Sequence, residues 1–329
     1  MTPPRPGPSR REMLAGLAAL ADPLDRAHAH DRLQAGSLAW EVDLGWPRLP
    51  WGMELGWGAG VAADSSGRTY LLHRGRPAVL VFTRDGRCVA RWGDEWAEGG
   101  HSLRIHRDVS GESLLITDNL RGQAARLDLH GRVLFRLGRV ADGPCSRHFP
   151  LDQPTDAAIA PGGEVLVAEG YGGSVVHLFS PEGRHLRTLG TPGIGPGQFD
   201  CPHGISLEGS PESPLLCVAD RGNGRVQWLD LRGRPLGQTP VRMPCGFARH
   251  AGLLFVADLD GHVAALGPDR SVVARLGQGH GLEAPVFRAP HAVAADPAGG
   301  LLVVEWTRPA RLLRLRRVPR SPADFFALP

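Results

Sequence analysis

The chain has 329 residues, a formal net charge of +3 and 42% hydrophobic residues, which is enough for one large domain with a buried core. All 37 basic residues are arginine, which excludes chemistry that needs a lysine amine, and their mixing with acidic residues argues against nucleic-acid binding. No apolar run approaches the ~18 residues that span a membrane, and five cysteines without a C-x-x-C pair predict neither a disulfide framework nor a thiolate zinc site.

Residues 1–36 are predicted to be a leader outside the folded domain. The stretch Ser9–Leu14 contains an Arg-Arg pair and resembles a twin-arginine export signal, and Ala19–Ala21 resembles a cleavage site. The apolar stretch from Met13 to Ala21 is short for such a signal, so a short amphipathic or disordered leader remains the alternative. The sequence leaves localisation undecided, with a cytoplasmic location slightly favoured over export.

Residues 37–318 contain six copies of one pattern. Each copy has a short apolar strand, a polar turn with glycine, a second strand such as Leu216–Asp220, and a third strand that ends in a Gly-Arg turn. Equivalent positions at the start of the first strands are Ala59, His101, Thr155, His203, Cys245 and His291. Copies spaced 42 to 54 residues apart match one four-stranded blade each, so the sequence predicts an all-β, six-bladed β-propeller.

The sixth copy lacks a fourth strand, because the chain becomes proline-rich after Val318. Residues Leu38 to Leu44 are strand-like and precede the first copy. We predict that they supply the outer strand of blade six and close the ring, which leaves few free sheet edges. Residues 319–329 are predicted to be a C-terminal tail.

Histidine occupies the equivalent position in copies two, four and six, as His101, His203 and His291. The first strand of each blade lies nearest the propeller axis, and alternate blades of six are related by about 120°. Three imidazoles would therefore point at one spot and leave a fourth position open, as in a catalytic three-histidine zinc site. Other divalent metals also suit imidazole. Cys245 shares this ring of positions, where we expect a small buried filler, with metal contact as the alternative.

Residues just past the second strands are expected on the same face as the histidines, because the second strand runs antiparallel to the first. They include Arg74, Asn119, Tyr171, Arg221 and Trp306. A tyrosine suits proton transfer and arginines suit binding of a carboxylate. The structural alternatives are loop packing for Tyr171 and bonding to backbone carbonyls for Arg221.

The chain from about residue 59 to 310 resembles NHL repeats and, more narrowly, the peptidyl-α-hydroxyglycine α-amidating lyases, which act second in C-terminal peptide amidation. The resemblance is strongest from residue 150 to 232 and weak at blade five. The matching motifs are Asp152–Asp156, Glu169–Tyr171, Gly195–Phe199, Pro202–Ile205 and Ala219–Arg225. The resemblance implies a six-bladed propeller with zinc held by His101, His203 and His291. It also implies that Tyr171, Arg221 and Arg74 are active-site residues.

This sequence departs from the family pattern at two positions. Ala292 follows the third histidine, where members often have an acidic residue associated with a structural calcium, so calcium is not expected. Gly172 stands in place of a disulfide cysteine, so that bridge is not expected. The 329 residues contain no recognisable monooxygenase segment, so a separate hydroxylating monooxygenase would supply the substrate.

These features predict a metal-dependent lyase that cleaves the C–N bond of an N-acyl (peptidyl) α-hydroxyglycine to an amide and glyoxylate. Its substrate would be a small molecule or peptide with a free carboxylate, and a ureido or small amide group is equally compatible with the motifs. The alternative is a non-catalytic NHL propeller that binds proteins or ligands without a tightly held metal. A lactonase-type hydrolase is less favoured, because such sites use carboxylate and asparagine ligands for calcium.

Overall fold

A computed structural model describes residues 32–35, 38–43, 45–139, 145–277 and 286–318. Almost every regular element in these ranges is a strand, with a single 3-10 turn at Asp94–Trp96. None of the helices in them is long and apolar enough to cross a membrane. The predicted tail and residues 1–31 of the predicted leader lie outside the described residues, so the proposed domain boundaries stay predictions.

The strands form six antiparallel blades. Two strands precede the first repeat, β1 (Arg32–Ala35) and β2 (Leu38–Val42). Blades one and two contain β3 (Gly58–Ala63), β4 (Thr69–His73), β5 (Val79–Phe82), β6 (Cys88–Trp92), β7 (Gly100–Asp108), β8 (Gly111–Asp118), β9 (Gln123–Leu127), β10 (Val133–Gly138) and β11 (Ser146–His148). Blade three and the short pair that follows it contain β12 (Asp156–Ile159), β13 (Val165–Glu169), β14 (Val175–Phe179), β15 (His185–Leu189), β16 (Thr191–Pro192) and β17 (Gln198–Phe199).

The remaining strands complete the ring. Blades four to six contain β18 (Pro202–Ser210), β19 (Ser213–Asp220), β20 (Arg225–Asp230), β21 (Pro235–Pro240), β22 (Pro244–His250), β23 (Leu253–Asp258), β24 (His262–Leu266), β25 (Val272–Leu276), β26 (Pro290–Asp296), β27 (Gly300–Glu305) and β28 (Arg311–Arg317). Each blade is ordered first to fourth strand from the axis outwards. The predicted six-bladed propeller is confirmed.

The ring closes through the N-terminal strand, as the sequence predicts. Strand β2 pairs antiparallel with β28, with Trp40 opposite Arg317 and Val42 opposite Leu315. Two additions were not predicted. Strand β1 continues blade six outside β2, and β11 adds a parallel strand to the edge of blade two.

The core lies between adjacent blades. Second strands such as β13 and β27 are buried along their whole length, and their continuous apolar runs suit strands that are covered on both faces. Leu166 and Leu302, for example, have no exposed surface. Truncating either to alanine is expected to cost about 2–5 kcal/mol. Fourth strands such as β15 and β21 face solvent, with four of the five residues of β15 exposed.

A register shift marks the start of the first strand in five blades of the described structure. It falls at Ala59, His101, His203, Cys245 and His291. A β-bulge leaves one residue without a partner in the ladder and turns its side chain away from the regular alternation. The bulges therefore allow the side chains at these equivalent positions to point towards the axis, which the regular alternation of a strand would not allow.

Candidate metal centre

The three predicted histidines meet at the axis. The ring centroids of His101, His203 and His291 are 4.7, 4.8 and 5.1 Å apart. Each offers one ligand nitrogen, and these nitrogens all lie within 4.8 Å of one another. All three side chains are buried. Within the described ranges, this is the one group of three or more histidine, cysteine or acidic residues with metal-binding geometry.

Each histidine is oriented by the backbone of the next blade. Nδ1 of His101 donates to the carbonyl oxygen of Thr155 at 2.7 Å, and Nδ1 of His291 donates to that of Ala59 at 2.7 Å. The backbone of Cys245 accepts a hydrogen bond from His203 in the same manner. Because a carbonyl can only accept, these contacts fix the proton on Nδ1 and leave Nε2 as a lone pair facing the axis. Such partners orient and strengthen metal-ligating histidines.

The contact to His203 depends on a glycine. A Cβ atom added at Gly204 would overlap the carbonyl oxygen of Cys245. The absence of a side chain at residue 204 therefore lets blade five approach the strand that carries His203. This is a close approach of two backbones next to a functional side chain, which only glycine permits.

The protein environment keeps the three imidazoles neutral. Burial, with the neighbouring histidines and arginines, lowers the pKa of His101 and of His203 well below the ordinary 6.5. Burial also lowers the pKa of His291 to about 4. Neutral imidazole is the form that binds a metal ion, so the site offers three ligand nitrogens at neutral pH.

Tyr171 lies directly over this cluster. Its Oη is 3.1 Å from Nε2 of His101 and 3.0 Å from Nε2 of His203. Burial raises the pKa of the Tyr171 phenol, while the guanidinium of Arg221 acts in the opposite direction. The hydroxyl group has one proton to donate, but two imidazole lone pairs face it.

Both predicted arginines flank the cluster. The guanidinium of Arg221 lies 5.3 Å from the centre of the Tyr171 ring, and its Nη2 is 3.2 Å from Sγ of Cys201. Nη2 of Arg74 donates to Oδ1 of Asn119 at 3.0 Å. Among the described residues, no carboxylate lies within 4.0 Å of either guanidinium. This contrasts with Arg225 of the same blade as Arg221, which pairs with a buried aspartate at 2.7 Å.

Cys245 does not join the metal-binding group. Its thiol is fully buried and lies 3.5 Å from the carbonyl oxygen of Met243. Burial raises the pKa of this thiol to about 12. Its thiol is thus a buried neutral group, and its backbone, rather than its sulfur, serves the histidine cluster.

Sequence reasoning placed Trp306 on this face and missed Trp57. The indole of Trp306 stacks on His291, with 5.1 Å between ring centroids, and Trp57 stacks on Trp306 at 5.4 Å. Trp57 directly precedes the first strand of blade one. Trp57 could have been predicted to lie near the histidines, because it stands one residue before a strand that starts on their face of the propeller.

Behind the histidines, a cavity of about 780 Å³ follows the inner strands. Arg104 of β7 reaches into it, with Nη1 3.0 Å from Oδ2 of Asp156 and in contact with the carbonyl of Ile205. The same carboxylate oxygen accepts the N–H of Ile205 at 3.0 Å. The axial carboxylate of Asp156 is thus paired with a guanidinium inside the channel.

The fold and the site define a class of protein: a six-bladed β-propeller with three buried histidines at its axis that can hold a metal ion. No protein-family model matches the chain. The chain is 32% identical over 229 residues to peptidylglycine alpha-amidating monooxygenase of Rattus norvegicus. The match covers 59% of this chain and 22% of that protein. It is 26% identical over 259 residues to a probable peptidyl-alpha-hydroxyglycine alpha-amidating lyase of Caenorhabditis elegans, with 72% and 69% covered.

A third relative is NHL repeat-containing protein 3 of Homo sapiens, 29% identical over 203 residues, with 59% of this chain and 57% of that protein covered. The chain thus spans about a fifth of the rat relative and just over half of the human one. The predicted resemblance to NHL-repeat proteins and amidating lyases is confirmed at this level of similarity.

Solved structures show the same fold. The TM-score is 0.61 with a gluconolactonase from Xanthomonas campestris, which is 16% identical, with 89% of this chain and 93% of that chain covered. It is 0.55 with virginiamycin B lyase from Staphylococcus aureus, which is 14% identical, with 85% and 88% covered. At such identities the likeness concerns the propeller alone, since one fold serves many functions.

Proposed function

We propose that this protein is a metal-dependent lyase that cleaves the C–N bond of an N-acyl α-hydroxyglycine to give an amide and glyoxylate. The observation that carries the proposal is the convergence of His101, His203 and His291 on one point beneath the hydroxyl group of Tyr171. The relative from Caenorhabditis elegans named as a probable amidating lyase supports the same reaction class.

The residues at the axis fit a divalent metal ion. Three Nε2 lone pairs face one another, and a single tyrosine proton can satisfy only one of them. A buried acceptor without a donor costs about 1–3 kcal/mol, and a cation at this point would remove that cost. A zinc or similar ion held by His101, His203 and His291 would act as a Lewis acid that lowers the pKa of the substrate hydroxyl group.

Tyr171 would relay the proton. Because burial raises its pKa, the phenol enters the reaction protonated, takes the hydroxyl proton and gives its own to the amide nitrogen. The C–N bond breaks with its electron pair moving to nitrogen, and the carbinol carbon becomes the aldehyde carbon of glyoxylate. Protons balance, and the products are the amide and glyoxylate.

Arg221 and Arg74 would bind the substrate carboxylate. Each guanidinium is partly buried and has no acidic partner among the described side chains, whereas a buried cation favours a counter-ion. Arginine suits bidentate recognition of a carboxylate. A carboxylate bound beside Arg221 would hold the adjacent hydroxyl group near Oη of Tyr171. A separate hydroxylating monooxygenase would supply such a substrate.

The test is glyoxylate release from an N-acyl α-hydroxyglycine by zinc-loaded protein, beside chelated protein and a His203→Ala variant. We expect about one zinc per chain and release by the loaded protein only, while His203→Ala loses both. His148→Ala, which changes an exposed histidine of blade two, is the matched control and should retain both. Zinc-loaded protein that releases no glyoxylate would contradict the lyase, and a chain that takes up no metal would favour a non-catalytic binding propeller.

A further inference from the structure

Two indoles form a stack that leads away from the metal centre. The His291 and Trp306 rings are 5.1 Å apart with 30° between their planes. The Trp306 and Trp57 rings are 5.4 Å apart with 26° between their planes. Three flat rings therefore follow one another from a metal-ligating imidazole to the protein surface.

The stack is held by the backbone. The N–H of Trp306 donates to the carbonyl of Ala289 at 2.8 Å, and the carbonyl of Trp57 accepts from the N–H of Arg74 at 2.8 Å. The guanidinium of Arg74 also lies 4.8 Å from the centre of the Trp306 ring. The main chains of both tryptophans are thus anchored, and the Trp306 indole is packed between His291 and Trp57. Such preorganisation lowers the entropic cost of binding.

The outer indole is exposed without a role in the core. Trp57 is 40% exposed, and it belongs to a face where the loops also expose Leu120 and Met243. Leu120 directly follows Asn119, the partner of Arg74, and Met243 precedes the strand that begins blade five. Large apolar side chains exposed on the face that carries a candidate site suit contact with the apolar part of a ligand.

The polar groups of the site account for only part of the proposed substrate. The two arginines suit the carboxylate, and Tyr171 with the histidines suits the hydroxyl group and the scissile bond. The acyl substituent on nitrogen is the part that remains, and the indole stack beside His291 offers an apolar surface for it. Trp57 and Trp306 offer the acyl substituent an uncharged surface. The guanidinium of Arg74 lies against the Trp306 ring.

We propose, on the basis of the proposed function, that the natural substrates carry an apolar acyl group, preferably aromatic, that packs on Trp57. The motifs alone left a ureido or small amide group equally compatible. A carbamoyl group is too small and too polar to remove the exposed indole from water, whereas an aromatic ring stacks on an indole with a favourable contact.

The test compares three substrates: N-benzoyl-, N-acetyl- and N-carbamoyl-α-hydroxyglycine, with glyoxylate release measured for zinc-loaded wild-type protein and Trp57→Ala. We expect the benzoyl substrate to have the lowest KM. In Trp57→Ala its KM should rise about 5- to 30-fold, which is about 1–2 kcal/mol at 1.4 kcal/mol per factor of ten. The turnover number should change little, because binding to the indole is the same in the ground and transition states.

Val109→Ala is the matched control, because Val109 is a fully exposed apolar residue in a turn at the opposite face. Binding of the unreactive N-benzoylglycine and N-acetylglycine, followed by calorimetry, gives a readout that does not depend on turnover, and the benzoyl compound should lose its advantage in Trp57→Ala. If all three substrates are cleaved with equal KM and Trp57→Ala changes none of them, this inference is wrong and the lyase proposal stands. If none is cleaved, the lyase proposal fails, and this inference fails with it.

Discussion

Nδ1 of His101 donates to the backbone carbonyl of Thr155 at 2.7 Å across the boundary between blades two and three. The two residues occupy the same repeat position in consecutive blades. The same relationship joins His291 of blade six to Ala59 of blade one and His203 of blade four to Cys245 of blade five. Even blades therefore supply the three histidines, and odd blades supply the carbonyl groups that orient them.

The first prediction concerns Gly204→Ala. The new Cβ must push away the Cys245 carbonyl, which removes the partner that orients His203. Loss of such a partner typically lowers metal affinity 10- to 100-fold, and competition with a chelator of known affinity would measure the change. Gly45→Ala is the control, because a Cβ there meets only a side-chain atom at 3.8 Å.

Circular dichroism and melting of the metal-free protein would establish that Gly204→Ala is folded. A folded Gly204→Ala variant with unchanged metal affinity would mean that the carbonyl does not orient the histidine.

The second prediction concerns Tyr171→Phe. The ring remains under Arg221 but the hydroxyl group is gone, so we expect turnover to fall by about 10²- to 10⁴-fold, as for loss of proton-transfer catalysis. Zinc content should stay at about one per chain, since the three imidazoles are intact. The measurement is kcat for glyoxylate release.

Tyr70→Phe is a matched control, because Tyr70 is the other of the two tyrosines in the chain. Its Oη donates to Oδ2 of the buried Asp64 at 2.9 Å in blade one, so this variant should lose about 1–3 kcal/mol of stability and keep its kcat. An undiminished kcat in a metallated Tyr171→Phe protein would sink the proposed proton relay.

The third prediction concerns Arg221→Gln. If this guanidinium binds the substrate carboxylate, KM should rise about 10- to 100-fold, in line with a charge-assisted pair of about 1.5–3 kcal/mol. For a substrate whose carboxylate is replaced by a carboxamide, Arg221→Gln should raise KM by a smaller factor. The exposed Arg187→Gln of blade three is the control for the lost charge, and equal effects from both variants would leave no role for Arg221 in carboxylate binding.

The fourth prediction is acid destabilisation of the metal-free protein. Burial lowers the pKa of His73 to about 4. Its Nδ1 accepts the N–H groups of Gly56 and Gly75 at 3.0 Å, so this nitrogen carries no proton in the folded protein. The unfolded chain has a pKa near 6.5 and binds the proton first. The free energy of unfolding should therefore fall as the pH drops from about 6.5 to about 4, by at most about 1.4 kcal/mol per pH unit for each such group.

Urea unfolding at several pH values would measure this slope. His73→Gln should flatten it by the contribution of one group, and the remainder should come from the other histidines whose pKa burial lowers, among them the three axial ones in the absence of metal. An identical slope in wild type and His73→Gln would contradict the assignment.

The alternation of histidine in the repeat was enough to predict the cluster, because equivalent positions in a propeller are related by the symmetry of the ring. The carbonyl contacts that orient the three histidines could not be predicted. They come from the backbones of Thr155, Cys245 and Ala59, and any residue type provides a carbonyl. Trp57 was missed because it precedes the first repeat position, and its approach to Trp306 is set by how blade one meets blade six. Strand β11 was missed because three residues carry too little pattern to predict a strand.

The pairing of β2 with β28 has a consequence for the order of events in folding. Residues 38–42 leave the ribosome long before residues 311–317, yet neither can complete its sheet without the other. Blades one to five are built from contiguous segments and can form in turn as synthesis proceeds. Strands β1 and β2 must wait until residues 311–317 have been made, so the step that joins blade one to blade six, and brings Trp57 against Trp306, follows the synthesis of all six blades.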